Sequence, residues 1–190
     1  MIIISQNISN YDLKIPDESI FRINLAWCNN LKEFESILSQ NKEHAMFVDL
    51  PVGRIKPPNN KYTLEELVPI INNNKNIKYF AISNVESSKD LELFKKEFPN
   101  EVTLVPKIES PNGIKNIEEI TEFLNYEKKV VMLDHDDLYS AIVRNNENSD
   151  NFEEYIRKLV EFCKTKNISL LRTVGVVFSD DENRITQYVK

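Results

Sequence analysis

Two short stretches hold the residues best suited to chemistry. Lys107-Ile108-Glu109 sets an ammonium and a carboxylate two residues apart, which on an extended strand places both on one side. Asp134-His135-Asp136-Asp137 gathers three carboxylates and an imidazole within four residues. Carboxylates converging from neighbouring strand ends form a hard oxygen site that suits Mg2+ or Mn2+, cations that keep some water and share their other positions with an oxyanionic substrate. Lys107 beside such a cation would stabilise a developing enolate. His135, whose charged form the neighbouring carboxylates favour, is a candidate for moving a proton. On spacing alone, solvated charges at strand ends remain the alternative reading.

These residues need a scaffold, and the hydrophobic pattern supplies one. Short β-branched runs over 1–5, 21–26, 46–50, 78–83, 103–108, 130–134 and 169–174 alternate with helical-period segments over 31–38, 64–71, 88–98, 111–124 and 152–164. That alternation predicts βα units and a parallel sheet. Ser110 is the expected N-cap of the fourth helix, with Pro111 at its first position. In the third helix Leu91, Leu93, Phe94 and Phe98 are expected to face inward. The irregular stretch 6–20 holds Pro16, so the first strand is expected either to pair antiparallel or to lie at an edge. With 190 residues the chain is short for an eight-unit barrel of about 250 residues, so the expectation is a single α/β domain with a short or incomplete TIM-barrel-like fold.

In such folds sites gather at the C-terminal ends of the strands. The polar residues there are Arg22 and Asn24 on the second strand, Asp49 with Arg54 and Lys56 after the third, and Ser83-Asn84 after the fourth. Lys107 and Glu109 close the fifth strand, and Arg172 and Thr173 belong to the seventh. Trp27 is expected in the core or in a pocket wall.

Composition narrows the function classes. The chain is 41% apolar and 28% charged with no apolar run long enough to span a bilayer, the profile of an ordinary globular protein. Asp plus Glu total 30 against 24 Lys plus Arg, a net charge of −6 that argues against nucleic acid as a partner. Cys28 and Cys163 lie far apart in no ligand spacing and are expected as packing residues. The opening Met-Ile-Ile-Ile-Ser reads as a strand rather than a secretion signal, so a cytoplasmic location without membrane attachment is expected.

The run Lys-Ile-Glu-Ser-Pro-Asn-Gly-Ile-Lys-Asn-Ile-Glu-Glu-Ile at 107–120, followed by Val-Met-Leu-Asp-His-Asp-Asp-Leu at 131–138, resembles the pyruvate kinase-like phosphoenolpyruvate/pyruvate barrel superfamily. That superfamily includes pyruvate kinase, HpcH/HpaI-type aldolases and the citrate lyase β-subunit. Collinear matches extend upstream: Arg22-Ile-Asn-Leu is similar to R-L-N-F, the stretch 48–56 to L-D-x-x-G-P-x-I-R, and the stretch 80–85 to I-A-x-S-F-V. The resemblance implies Glu109 and Asp137 as ligands of Mg2+ or Mn2+ and Lys107 as the charge beside the enolate oxygen. It also implies Arg22, Asn24, Asp49 and Lys56 around a phosphate or a monovalent cation, and Thr173 near the substrate. A helix beginning after Asp136-Asp137 would offer its N–H groups to a substrate carboxylate.

The expected function is a Mg2+-dependent lyase or aldolase acting on the enolate of a pyruvate-type 2-keto acid or phosphoenolpyruvate. Two alternatives stand beside it: a catalytically degenerate barrel that binds or scaffolds, and a phosphoenolpyruvate-using transferase. His135-Asp136 stands where pyruvate kinases have Arg-Gly, and Asp134 replaces a glycine usual in the aldolases; both add negative charge near the substrate. The partner is expected to be a small carboxylic or keto acid. A second copy of the chain is expected to cover the edges of a shortened barrel.

Overall fold

A wall of parallel strands must present one row of side chains to its helices and the other to the interior, and the alternation along each strand meets that demand. The computed structural model describes residues 3–5, 18–54 and 57–172. In chain order these form β1 (Ile3–Ser5), β2 (Ile20–Asn24), α1 (Leu31–Gln40), β3 (Ala45–Leu50), α2 (Leu64–Asn73), β4 (Ile77–Ile82) and α3 (Lys89–Glu97). There follow β5 (Thr103–Ile108), α4 (Pro111–Lys115), α5 (Ile117–Phe123), β6 (Val130–Leu133), α6 (His135–Arg144), α7 (Asn151–Thr165) and β7 (Ser169–Arg172). The strands lie in sequence order, β1 to β7, and every described pairing is parallel. The result is an α/β fold, a curled half-barrel. Lys56 and Thr173 lie outside the described residues.

Right-handed crossovers put all helices on one face of such a sheet, and the packing shows it. Phe21, Ile23, Val48, Phe80, Ile82, Ile108, Val131 and Leu133 share one buried cluster with helix residues such as Phe34, Leu67, Leu91, Ile120, Leu138 and Leu159. The alternate strand residues Ile20, Phe47, Ala81, Val105, Val130 and Met132 form a second cluster inside the curl, with no helix contributing. Each fully buried large side chain is worth about 1.5–3 kcal/mol relative to exposure. Further along the inner face the layers turn polar, and the site begins there.

Local signals fix the helix starts. Thr63 and Glu66 form a capping box at α2, Asn30 caps α1 through the Glu33 N–H, and Ser110 caps α4 through the Gly113 N–H. Several expectations need correction. β1 is an edge strand but pairs parallel with β2, placing Ile3 beside Ile20 on the inner face. The fourth helix is broken at Asn116, whose side chain donates to the Glu86 carbonyl at 2.8 Å and whose backbone leaves the helical region. Leu93 is 64% exposed because the inward stripe of α3 runs Leu91, Phe94, Phe98, one step aside. Trp27 is 52% exposed, since the 3-10 turn Leu25–Trp27 buries Leu25 and Ala26 and swings the indole outward. Cys28 and Cys163 are buried free thiols, as expected. Among the described residues no helix is long and apolar enough to cross a membrane.

Gly113 stands where α4 crosses the strand ends. A Cβ there would meet the Val85 carbonyl oxygen at 2.7 Å and Ile108 Cγ2 at 3.2 Å. Helix propensity alone would make Gly113→Ala stabilising by about 1 kcal/mol. The clash is with backbone, so we expect the opposite sign, a loss of about 1–3 kcal/mol. A urea unfolding midpoint at or above that of the wild type would refute this packing.

Candidate functional site

The inner row of each strand continues past the apolar layers into charge. The register aligns Asn24 with Asp49, and Asp49 with Ala81 and Val105, so Lys107 and Glu109 project one and two layers higher on β5 and beyond it. Ser83, Lys107, Asp49 and Glu109 are all buried. Lys107 Nζ lies 2.9 Å from Glu109 Oε1, 3.4 Å from Asp49 Oδ1 and 2.9 Å from Ser83 Oγ, to which it donates. The Arg22 guanidinium pairs with the other Asp49 oxygen. One ammonium and one guanidinium thus clamp Asp49 from both sides.

Glu109 is oriented from β4. Asn84 adopts a left-handed backbone, with φ of 56°, and its N–H donates to Glu109 Oε2 at 2.7 Å. Asparagine tolerates that conformation better than most residues. Its side chain donates to the Val52 carbonyl at 2.5 Å, tying the loop after β3 to the same point. Asp134 ends β6 and caps α6, accepting from the Asp137 N–H at 3.3 Å. One carboxylate oxygen from each of Glu109, Asp134 and Asp137 lies within 4.8 Å of the others, a hard oxygen cluster able to hold a cation.

Burial and pairing divide these acids. Burial acts to raise Asp49, but Lys107 and Arg22 outweigh it and hold its carboxyl below the ordinary 3.8. Burial likewise works against the Lys107 ammonium, yet Asp49 and Glu109 carry it above its usual value. Glu109 has a single cation, so burial prevails and raises it. Asp134 is raised by burial, with Asp137 and Asp136 adding repulsion. Lys107 is therefore a fixed cation rather than a neutral amine nucleophile.

A cavity of about 280 Å³ opens over the cluster. Its charged lining comprises Arg22, Arg54, Lys107 and Arg144 against Asp49, Glu109, Asp134 and Asp137, and Asn24, Ser83 and Asn84 add polar groups. The structure thus brings Arg22, Asn24, Asp49, Arg54, Lys107, Glu109 and Asp137 into one chamber. Asp136 is exposed and lines none of it.

His135 does not line this chamber. It is buried at the start of α6, where Arg172 approaches its Nε2 with Nε at 3.2 Å and a terminal nitrogen at 3.0 Å. A guanidinium can only donate, so in this contact Nε2 is the acceptor. Arg172, rather than a carboxylate, approaches its Nε2.

Sequence reasoning assigned no role to Asn84 or Arg144. Ser83 stood at a strand end without a function, and Asp134 belonged to the acidic cluster without being singled out as a ligand. The signal for Asn84 was its place beside Ser83 at the close of a strand. For Arg144 it was the spacing of seven from Asp137, two helical turns on one face.

No family model matches the chain, and no curated protein matches it either. Among solved structures it is similar to RipC from Yersinia pestis, with a TM-score of 0.61 and 13% identity over 89% of this chain and 79% of that one. At that identity the likeness concerns the fold alone.

The Asp49 clamp sets an acid limit on stability. Its folded pKa lies below its unfolded one, so its contribution is complete above about pH 4 and is lost as pH falls through the folded value. Glu109, raised in the fold, acts with the opposite sign, favouring the folded state as pH falls toward its unfolded value near 4.5. We expect Asp49→Asn to cost about 3–5 kcal/mol at pH 7, because Lys107 and Arg22 lose their shared anion, and to flatten the fall in stability below pH 4. Urea titrations of both proteins across pH 2.5–7 check it (a range chosen around the ordinary carboxylate pKa near 4); an equally steep acid limb in the variant would exclude Asp49 as its source.

Proposed function

We propose that the chain is a Mg2+- or Mn2+-dependent lyase or aldolase that makes or consumes the enolate of a pyruvate-type 2-keto acid. In this reading the half-barrel is a shortened TIM-type barrel of the phosphoenolpyruvate/pyruvate superfamily. The observation that carries the reading is the convergence of Glu109, Asp134 and Asp137 beside the buried, permanently charged Lys107. Oxygen donors alone, with no thiolate or imidazole among them, suit a hard divalent cation. Held by Glu109, Asp137 and Asp134, that cation would supply Lewis-acid charge to the 2-keto oxygen.

The chain's own residues then have separable tasks. Lys107 faces the position where negative charge develops when the electron pair of a breaking carbon–carbon bond passes into the enolate, and its pairing with Asp49 holds it there before any substrate arrives. Arg22 and Asn24 flank the same space and orient the substrate carboxylate. Ser83 and Asn84 position Lys107 and Glu109 by direct hydrogen bonds. His135 acts from behind the wall, fixing the start of α6 against Arg172.

The test is calorimetric titration with oxalate, a flat enolate mimic, with and without Mn2+. We expect oxalate to bind only with the cation present, and Glu109→Gln to weaken cation binding at least about tenfold, the loss of one charged ligand from three. Oxalate binding that ignores the cation, or none under either condition, would refute this reading and favour a barrel kept for binding another protein.

A further inference from the structure

α6 carries more apolar surface than its packing uses. His135, Leu138, Ala141 and Ile142 are buried against the rest of the molecule. Tyr139 and Val143, one turn apart on the outer side, are 46% and 53% exposed, two of the five large apolar side chains left exposed among the described residues. With Asp136 and Ser140 they follow the i, i+3, i+4, i+7 spacing of a single helix face. The Tyr139 ring is already held in place, edge-on to Phe152 of α7 with centroids 5.4 Å apart. A side chain fixed before contact loses little rotamer freedom on docking, and tyrosine is a frequent anchor of protein interfaces.

The charges at the two ends of this face have no partners of their own. Asp136 and Arg144 are exposed, and among the described residues neither side chain makes a hydrogen bond or an ion pair. Ser140 lies midway, four residues from each, and its hydroxyl donates to the Asp136 carbonyl at 2.7 Å. A small side chain with its polar group satisfied thus stands at the centre. Four residues are about 6 Å of helix. A two-fold axis through Ser140 would therefore lay an antiparallel copy of α6 with its Arg144 beside Asp136 and its Asp136 beside Arg144. The Tyr139 and Val143 side chains of both copies would fill the space between the two ion pairs. The same arrangement sets the positive N-terminal end of each helix beside the negative C-terminal end of the other.

We propose that α6 is the contact of a two-fold homodimer, with Tyr139 and Val143 packed about the axis and Asp136 paired with the partner's Arg144 on each side. The occupant is a second copy of this chain because the face is its own complement: its acid and its base stand equally far from its centre, as an isologous contact requires. The contact lies on the helical layer, away from the sheet edges where the sequence leads one to expect it, and it does not depend on what the chamber binds. Ten residues of helix span about 15 Å, so the interface falls below the roughly 1,200–2,000 Å² of a stable complex and the dimer is a weak one.

Sedimentation equilibrium of the full-length protein from about 5 to 500 µM, a range set by so small a contact, tests this. The wild type is expected to dimerise within it. Asp136→Arg and Arg144→Asp each set like charges against each other twice, and each should weaken the dimer at least about tenfold. In an equal mixture of the two variants opposite charges meet again on both sides of the axis, so the mixture should dimerise about as tightly as the wild type although neither component does so alone. That recovery also requires both variants to be folded. A wild type that stays monomeric throughout, a variant that dimerises as the wild type does, or a mixture no tighter than its components would overturn the proposal.

Discussion

The arrangement depends on keeping one largely buried ammonium charged. Lys107 loses most of its hydration on burial, and it recovers that loss only because Asp49, Glu109 and Ser83 stand within 3.4 Å of its nitrogen. Removing any one partner leaves a buried charge short of compensation. The cluster therefore fixes its own geometry, and Asp49, held as an anion by two cations, is its anchor. Glu109 is the soft member. With one cation and a buried carboxyl it is the acid whose negative charge the protein least supports, and it stands beside Asp134, which is in the same condition. Excess carboxylate in that corner is what makes an added cation electrostatically welcome.

The fold holds this cluster by register. Along β3, Phe47 closes the apolar inner layer and Asp49 opens the polar one; along β5, Val105 and Lys107 do the same. A one-residue slip of either strand would send its charge into the helix-packed core and an apolar side chain into the chamber, costing several buried partners at once. The apolar layers beneath the site are thus part of it, since they make every other register prohibitive.

Much of this was legible in the residues. The seven strands follow from β-branched runs, and the meeting of Lys107, Glu109, Asp49, Arg22 and Asp137 follows from placing strand ends at a common mouth. What escaped were cases where one contact overrides a pattern. The helix expected to begin after Asp136-Asp137 opens earlier, at His135, because the Asp134 side chain caps it. The break at Asn116 depends on a carbonyl in a distant loop, and the contact of His135 on Arg172, which lies on β7. Neither partner can be inferred from local sequence. Antiparallel pairing of the first strand and an inward Trp27 failed for a related reason: each depended on how a connection turns, and the residues of a connection constrain that weakly.

Asp134 carries a charge whose setting can be read physically. A carboxylate at this position would repel an anionic substrate if its charge stood free. Here the side chain accepts the Asp137 N–H and sits at the positive end of α6, where a negative charge is stabilised. One of its carboxylate oxygens falls within the cluster with Glu109 and Asp137. In the proposed function this imposes an order on binding. An anion arriving first meets the carboxylates of Glu109, Asp134 and Asp137, and the clamp on Asp49 leaves Arg22 and Lys107 little charge to spare. A cation arriving first meets those same carboxylates as ligands and reverses the sign of the corner. In that proposed function Asp134 would leave the site open to anions and make their entry conditional on the cation.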